Sequence, residues 1–220
     1  MTEAIIVHEV RTAERAIAFT FDDGPNPLYT PQVLDIFEEV GGKATFYMIG
    51  EQMELEPELV RAVNAQGHEI GNHTYSHPKL TTLTAEQLSD ELYRTDRLIQ
   101  ELTGKTPRTF RPPYFDYNRE VGELVASFGY GAAGCVNGEA RDWEQPGAAH
   151  IVEATRRAMR SGSILLFHDG YGDRSQTVEA VKILAAEAKA QGYALVTVSE
   201  LLAMEKRESE IGRASCRERV

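Results

Sequence analysis

Short runs of apolar, β-branched and aromatic residues alternate along the chain with longer stretches whose apolar positions recur every three to four residues. The short runs are AIAFTF (16–21), KATFYMI (43–49), HEIGN (68–72), RTFRP (108–112), YGAAGCV (130–136), SILLFH (163–168) and ALVTV (194–198). Each reads as a strand. Residues 84–102 give the clearest helix, with Leu88, Leu92, Thr95, Ile99 and Leu102 on one face. Thr84 and Gln87 form a capping-box pattern, Leu83 and Leu88 a hydrophobic staple, and Gly104 follows the end. A second helix over 175–190 shares Val178, Val181, Leu184, Ala185 and Ala188 on its buried face. Strand-then-helix alternation implies a parallel sheet, with the apolar segment at 4–10 as a candidate outer strand.

An open doubly wound sheet and a closed barrel share this alternation, and the polar motifs separate them. TFDDGPN follows the first run, NHTYSH the third, RPPY ends the fourth, RDW trails the fifth and HDG closes the sixth. Residues from five strand ends converge most simply at the carboxyl end of a barrel. The expected fold is therefore α/β, a (β/α) barrel of about seven parallel strands.

With 220 residues, 42% of them hydrophobic, the chain suits one globular domain. A net charge of -11 argues against a nucleic-acid partner, which requires a basic face. No apolar run approaches the roughly 20 residues that span a bilayer, so no membrane partner is expected. The opening MTEAIIVHEV carries no signal-peptide pattern. A cytoplasmic setting is expected for the chain as it stands, and an extracellular one if a leader has been removed. Cys135 and Cys216 suggest no disulfide framework. The segment EIGRASCRERV (210–220) lacks periodicity and resembles translated sequencing-adapter DNA. The expected organisation is a catalytic domain over 1–206 and a non-native or disordered tail over 207–220. Nothing in the pattern specifies an oligomeric state.

Two adjacent carboxylates, Asp22 and Asp23, end an apolar strand, where repulsion and desolvation oppose double ionisation unless a cation is near. Asp-Gly-Pro is also ordinary turn chemistry, but two aspartates after a buried strand favour the cation. His73 and His77, four apart, can turn both imidazoles one way. Alone the pair is weak; with a carboxylate from a neighbouring strand end it makes two nitrogens and one oxygen, leaving a fourth position for water, the pattern of a catalytic zinc site. In RPPY, two prolines stiffen the backbone, Pro113 lacks an N–H, and Tyr114 could supply a donor for developing negative charge. Arg111 could pair with a carboxylate of the site. His168 ends an apolar strand and reads either as a satisfied core residue or as a general acid held by Asp142, which stands beside Trp143, the sole tryptophan.

In this order TFDDGP, HTYSHP, RPPY, RDW and LLFHDG resemble the five motifs of the polysaccharide deacetylases of carbohydrate esterase family 4, the NodB homology domain, over about Val7 to Ala203. The resemblance implies a distorted barrel and hydrolysis of an acetyl group from a sugar. By position it makes Asp22 the catalytic base and Asp23, His73 and His77 the ligands of a divalent metal ion, zinc foremost, with Co2+ or Ni2+ as alternatives. It implies that Arg111 orients Asp22 and that the Tyr114 amide completes an oxyanion hole. His168 then protonates the leaving group, Asp142 tunes His168, and Trp143 and Leu166 line the acetyl-methyl pocket. The implied partner is an acetylated oligo- or polysaccharide. N-Deacetylation of N-acetylglucosamine in chitin-like or peptidoglycan chains is the leading expectation. An O-acetyl xylan esterase and an inactive glycan-binding module are the alternatives, the last disfavoured because Asp22, Asp23, His73, His77 and His168 are all present. Phe115 departs from the glycine common after RPPY, and Glu139 from a common aspartate. The loops around the barrel mouth look short, which suggests an open groove.

Overall fold

A computed structural model describes residues 5–205; the tail expectation and Cys216 fall outside them. Eight strands form one sheet: β1 (Ile6–Val7), β2 (Ala16–Asp22), β3 (Thr45–Met48), β4 (Glu69–Asn72), β5 (Thr109–Phe110), β6 (Gly131–Ala133), β7 (Ile164–His168) and β8 (Ala194–Leu195). All strand pairs are parallel, in the order β1-β6-β5-β4-β3-β2-β7, with β8 pairing the start of β2. The helices α1 (Thr30–Val40), α2 (Gly50–Leu55), α3 (Pro57–Ala65), α4 (Ala85–Thr103), α5 (Arg119–Ser127), α6 (Ala148–Ala158) and α7 (Ser175–Ala190) are the intervening elements. The sheet curls into a distorted barrel, as expected. Within the apolar segment expected as an outer strand, Ile6–Val7 joins it as the edge strand β1.

The curl nearly closes onto β7, where Val10 N–H, just after β1, reaches the Gly162 carbonyl at 2.8 Å, and the segment after β6 completes the join with a side chain. Val136 N–H donates to the Ile164 carbonyl at 3.0 Å. Asn137 then stands in for a strand residue: its Oδ1 accepts from Leu166 N–H at 2.7 Å and its Nδ2 donates to the Leu166 carbonyl at 3.0 Å. Both backbone groups of a buried residue are thereby satisfied where no strand reaches.

The 7-residue β2 shows how the sequence divides outside from inside. Its odd positions, Ile17, Phe19 and Phe21, pack with Phe37, Phe46 and Phe167 in the layer between sheet and helices. Its even positions climb the interior as Ala16, Ala18, Thr20 and Asp22, from the small residues of the inner cluster with Tyr47, Val198 and Leu201 to a carboxylate at the top. The two-residue period thus sets the core and aims Asp22 at the barrel mouth.

Helix α4 follows its sequence signals. Thr84 and Gln87 exchange both capping-box bonds, Gly104 takes the left-handed C-cap, and Leu88, Leu92, Thr95 and Ile99 are buried. Several strands are shorter than their apolar runs, β5 being Thr109–Phe110 within 108–112. The connection between β6 and α6, residues 134–147, is long rather than short. It carries Asp142 and Trp143 in a 3-10 turn (Asp142–Glu144) well beyond the strand end.

Candidate active site

The carboxyl ends of β2, β4, β5 and β7 and the long loop after β6 enclose a cleft of about 380 Å³ lined by Asp22, Asp23, His73, His77, Pro112, Tyr114, Phe115, Trp143, Leu166 and His168. Every residue to which the sequence reading gave a role in the chemistry lines this cleft except Arg111 and Asp142, which stand directly behind it.

Arg111 is fully buried and fills the barrel interior beneath the cleft. Its Nη1 donates to Asp22 Oδ1 at 2.8 Å and to Thr20 Oγ1 at 2.6 Å. Its Nη2 and Nε donate to the carbonyls of Gly134 (2.7 Å) and Ala133 (3.3 Å). The guanidinium lies 4.4 Å from the Tyr47 ring centroid. A fixed charge so fully partnered holds Asp22 in one rotamer.

Asp23, His73 and His77 each offer one ligand atom, all within 4.8 Å of one another. Asp23 Oδ1 lies 3.4 Å from His73 Nε2 and 3.2 Å from His77 Nε2, yet it is buried with no hydrogen-bond partner. Burial alone would raise the Asp23 pKa; the two imidazoles override it and hold the carboxyl well below the usual range. His73 Nδ1 lies 2.7 Å from the Arg111 carbonyl; a carbonyl only accepts, so Nδ1 carries a proton and Nε2 is the ring nitrogen that faces Asp23. An orphaned carboxylate oxygen beside two imidazole nitrogens fits a divalent cation.

The loop between the two histidines is clamped from outside the sequence motif. Glu91 of α4 accepts from the Tyr75 and Ser76 amides, both at 2.8 Å, and from Ser76 Oγ at 2.7 Å. His77 sits on left-handed backbone (φ 58°) with its N–H on Thr74 Oγ1 at 3.1 Å. Asn72, just before His73, donates to the Leu92 carbonyl (2.9 Å), Asp96 (2.9 Å) and the Tyr130 hydroxyl (3.0 Å). The motif reading named none of Glu91, Asp96 and Tyr130.

Across the cleft, His168 Nδ1 donates to Asp142 Oδ1 at 2.8 Å. Asp142 Oδ2 accepts from the His168 amide (2.8 Å) and Thr177 Oγ1 (3.1 Å). Burial pulls the His168 pKa down, but the Asp142 charge and hydrogen bond, with Asp22 and Asp23 behind them, push it up to about 9. The Trp143 ring meets His168 edge-on at 5.6 Å. In the RPPY turn the amides of Phe115 and Asp116 are taken by the carbonyls of Pro112 and Pro113, so the turn itself does not use that of Tyr114.

Asp169 of the HDG motif, to which the sequence reading gave no role, is fully buried and accepts from Thr30 Oγ1 at 2.5 Å. Burial, opposed by that bond and aided by Asp23 and Asp22, pushes its pKa up to about 7. Gly170 follows because a Cβ there would stand 1.9 Å from the Asp23 carbonyl oxygen. A larger cleft of about 730 Å³ opens at the opposite end of the barrel, beside Glu69, Lys105 and Arg108. It holds none of the grouped ligand atoms, so the chemistry belongs to the smaller one.

A carboxylate and two imidazoles fit for a cation, a second carboxylate locked by arginine, and a carboxylate-held imidazole opposite are the parts of a metal-dependent hydrolase. The chain belongs to the polysaccharide deacetylase family, whose model matches residues 9–133, and is a hydrolase of that class. It is 42% identical over 198 residues to a peptidoglycan-N-acetylglucosamine deacetylase of Bacillus cereus, covering 90% of this chain and 92% of the relative. It is 35% identical over 219 residues to a chitooligosaccharide deacetylase of Bradyrhizobium, covering 91% and 100%. Among solved structures, the peptidoglycan deacetylase PdaC of Bacillus subtilis superposes with a TM-score of 0.83 at 33% identity, covering 94% of this chain and 99% of that one.

Proposed function

We propose that the protein removes the acetyl group from N-acetylglucosamine units of peptidoglycan or chitin-like chains, with a divalent cation, Zn2+ foremost, held by Asp23, His73 and His77. The observation that carries this reading is the partnerless Asp23 Oδ1 facing two Nε2 atoms at 3.2 and 3.4 Å beside a second, arginine-locked carboxylate. The glycan is supported by the activities named for the two relatives described above. A bound cation would supply Lewis-acid activation of water and of the acetyl carbonyl. Asp22, fixed by Arg111, takes the proton from the attacking water. The Tyr114 amide donates to the oxygen on which negative charge develops. His168 gives its Nε2 proton to the departing nitrogen, while Asp142 holds Nδ1–H and stabilises the imidazolium beforehand. Leu166 and Trp143 form an apolar wall suited to the acetyl methyl.

The test is acetate release by zinc-loaded protein from N-acetylglucosamine oligomers and from acetylated xylan, measured side by side. Release chiefly from the oligomers is expected. Release chiefly from xylan would replace the amide substrate with an O-acetyl ester, and silence on both would leave the hydrolytic reading without support.

A further inference from the structure

Tyr114 (φ 57°) and Phe115 (φ 52°) are consecutive non-glycine residues on left-handed backbone, a conformation that glycine adopts freely and that strains residues bearing a Cβ. Local conformation therefore gives no reason for phenylalanine at 115. Burial gives none either: Phe115 is 38% exposed and belongs to none of the three hydrophobic clusters among the described residues. The turn is anchored by other groups. The Phe115 and Asp116 amides bond to Pro112 and Pro113, and the Asp116 carboxylate takes Thr81 N–H and Oγ1 at 2.8 and 2.9 Å. What Phe115 does have is a place in the cleft wall, which Tyr114 and Trp143 also line. The Tyr114 ring is committed to His77, 4.6 Å away, so Phe115 is the aromatic next along the chain from the ring that packs on the candidate metal ligand.

We propose that Phe115 is a specificity-determining stacking platform: its ring takes the C–H face of the pyranose adjoining the one that loses its acetyl group, so the cleft favours chains over single sugars. The proposal rests on the deacetylase reading above. A pyranose presents aliphatic hydrogens on one face, and these complement the negative face of an aromatic ring. Because the contact lies away from the reacting atoms, it is equally strong in ground and transition states and acts on KM rather than kcat.

Steady-state kinetics on an N-acetylglucosamine tetramer and on 4-nitrophenyl acetate test this with Phe115→Gly, Phe115→Asn and Phe115→Trp. Asparagine tolerates left-handed backbone, so it removes the ring without freeing the turn. Both ring-less variants are expected to raise KM for the tetramer roughly three- to tenfold, to keep kcat, and to leave hydrolysis of the small ester unchanged. Their unfolding midpoints should not fall, and Phe115→Trp should keep the wild-type KM. An unchanged tetramer KM in both ring-less variants, or equal losses on tetramer and small ester, would overturn the platform. Wild-type protein that cleaves the ester but not the tetramer would overturn the deacetylase reading itself, and the platform with it.

Discussion

At the amino-terminal end of the strands, where helices hand the chain back to the sheet, left-handed turns fall on glycine, as at Gly41, Gly104, Gly129 and Gly192. At the carboxyl end Gly147 and Gly172 do the same, but residues that bear side chains join them. Among the described residues, the non-glycine ones with positive φ are Asp23, Thr74, His77, Tyr114, Phe115, Arg141, Gln145 and Tyr171, and all lie in loops that follow β2, β4, β5, β6 or β7. One end of the barrel is relaxed, with each special conformation given to the residue that accepts it. The other holds strained backbone because side chains are needed there, two of them candidate ligands. Such strain persists only where surrounding bonds over-determine it, which is the part played by Arg111, Glu91 and Asp142.

The comparison is sharpest at Arg111. Arg111→Leu leaves Asp22 buried without its cation and is expected to cost about 3–5 kcal/mol of stability, read by chemical denaturation. A cost below about 1 kcal/mol would mean that the interior does not depend on this pair. Glu91→Gln should weaken zinc binding about tenfold, in the range seen for residues that orient metal ligands, with little change in unfolding midpoint; calorimetric titration reads the first and a thermal melt the second. The His168 pKa is raised to about 9, so its proton is present below that value and lost as pH rises through it. The alkaline limb of kcat/KM should therefore fall near pH 9 and move to lower pH in Asp142→Asn, which removes the charge that raises the pKa. An unmoved limb would separate His168 from the proton transfer. At the relaxed end, a Cβ on Gly104 would meet nothing within 4 Å, so Gly104→Ala should cost only the backbone term, about 1 kcal/mol, and leave kinetics unaltered.

These two ends also differ in how much of them the sequence discloses. Helix α4 was legible to within a residue at each end because its cap, face and stop are local signals, and the β2 register follows from a two-residue period. The cleft was legible because its residues cluster in short motifs at strand ends. Of the supports, Arg111 and Asp142 were named from their motifs, and Glu91 and Asn137 were not. Glu91 lies on the polar side of a helix that already accounts for its pattern, and Asn137 closes the sheet by imitating a backbone that periodicity cannot reveal. Asp142 was named as the partner of His168, but not the length of the loop that carries it there. Contacts between distant positions leave no local period to read.

Titration of metal-free protein with Zn2+ tests the central claim most directly, that Asp23, His73 and His77 form one cation site and Asp22 stands beside it for proton transfer. One equivalent should bind to wild type and to Asp22→Asn, with turnover lost in the latter by about 10² to 10⁴. Asp23→Asn and His77→Ala should lose most of the affinity. Undiminished zinc binding in Asp23→Asn, or full turnover in Asp22→Asn, would contradict the account.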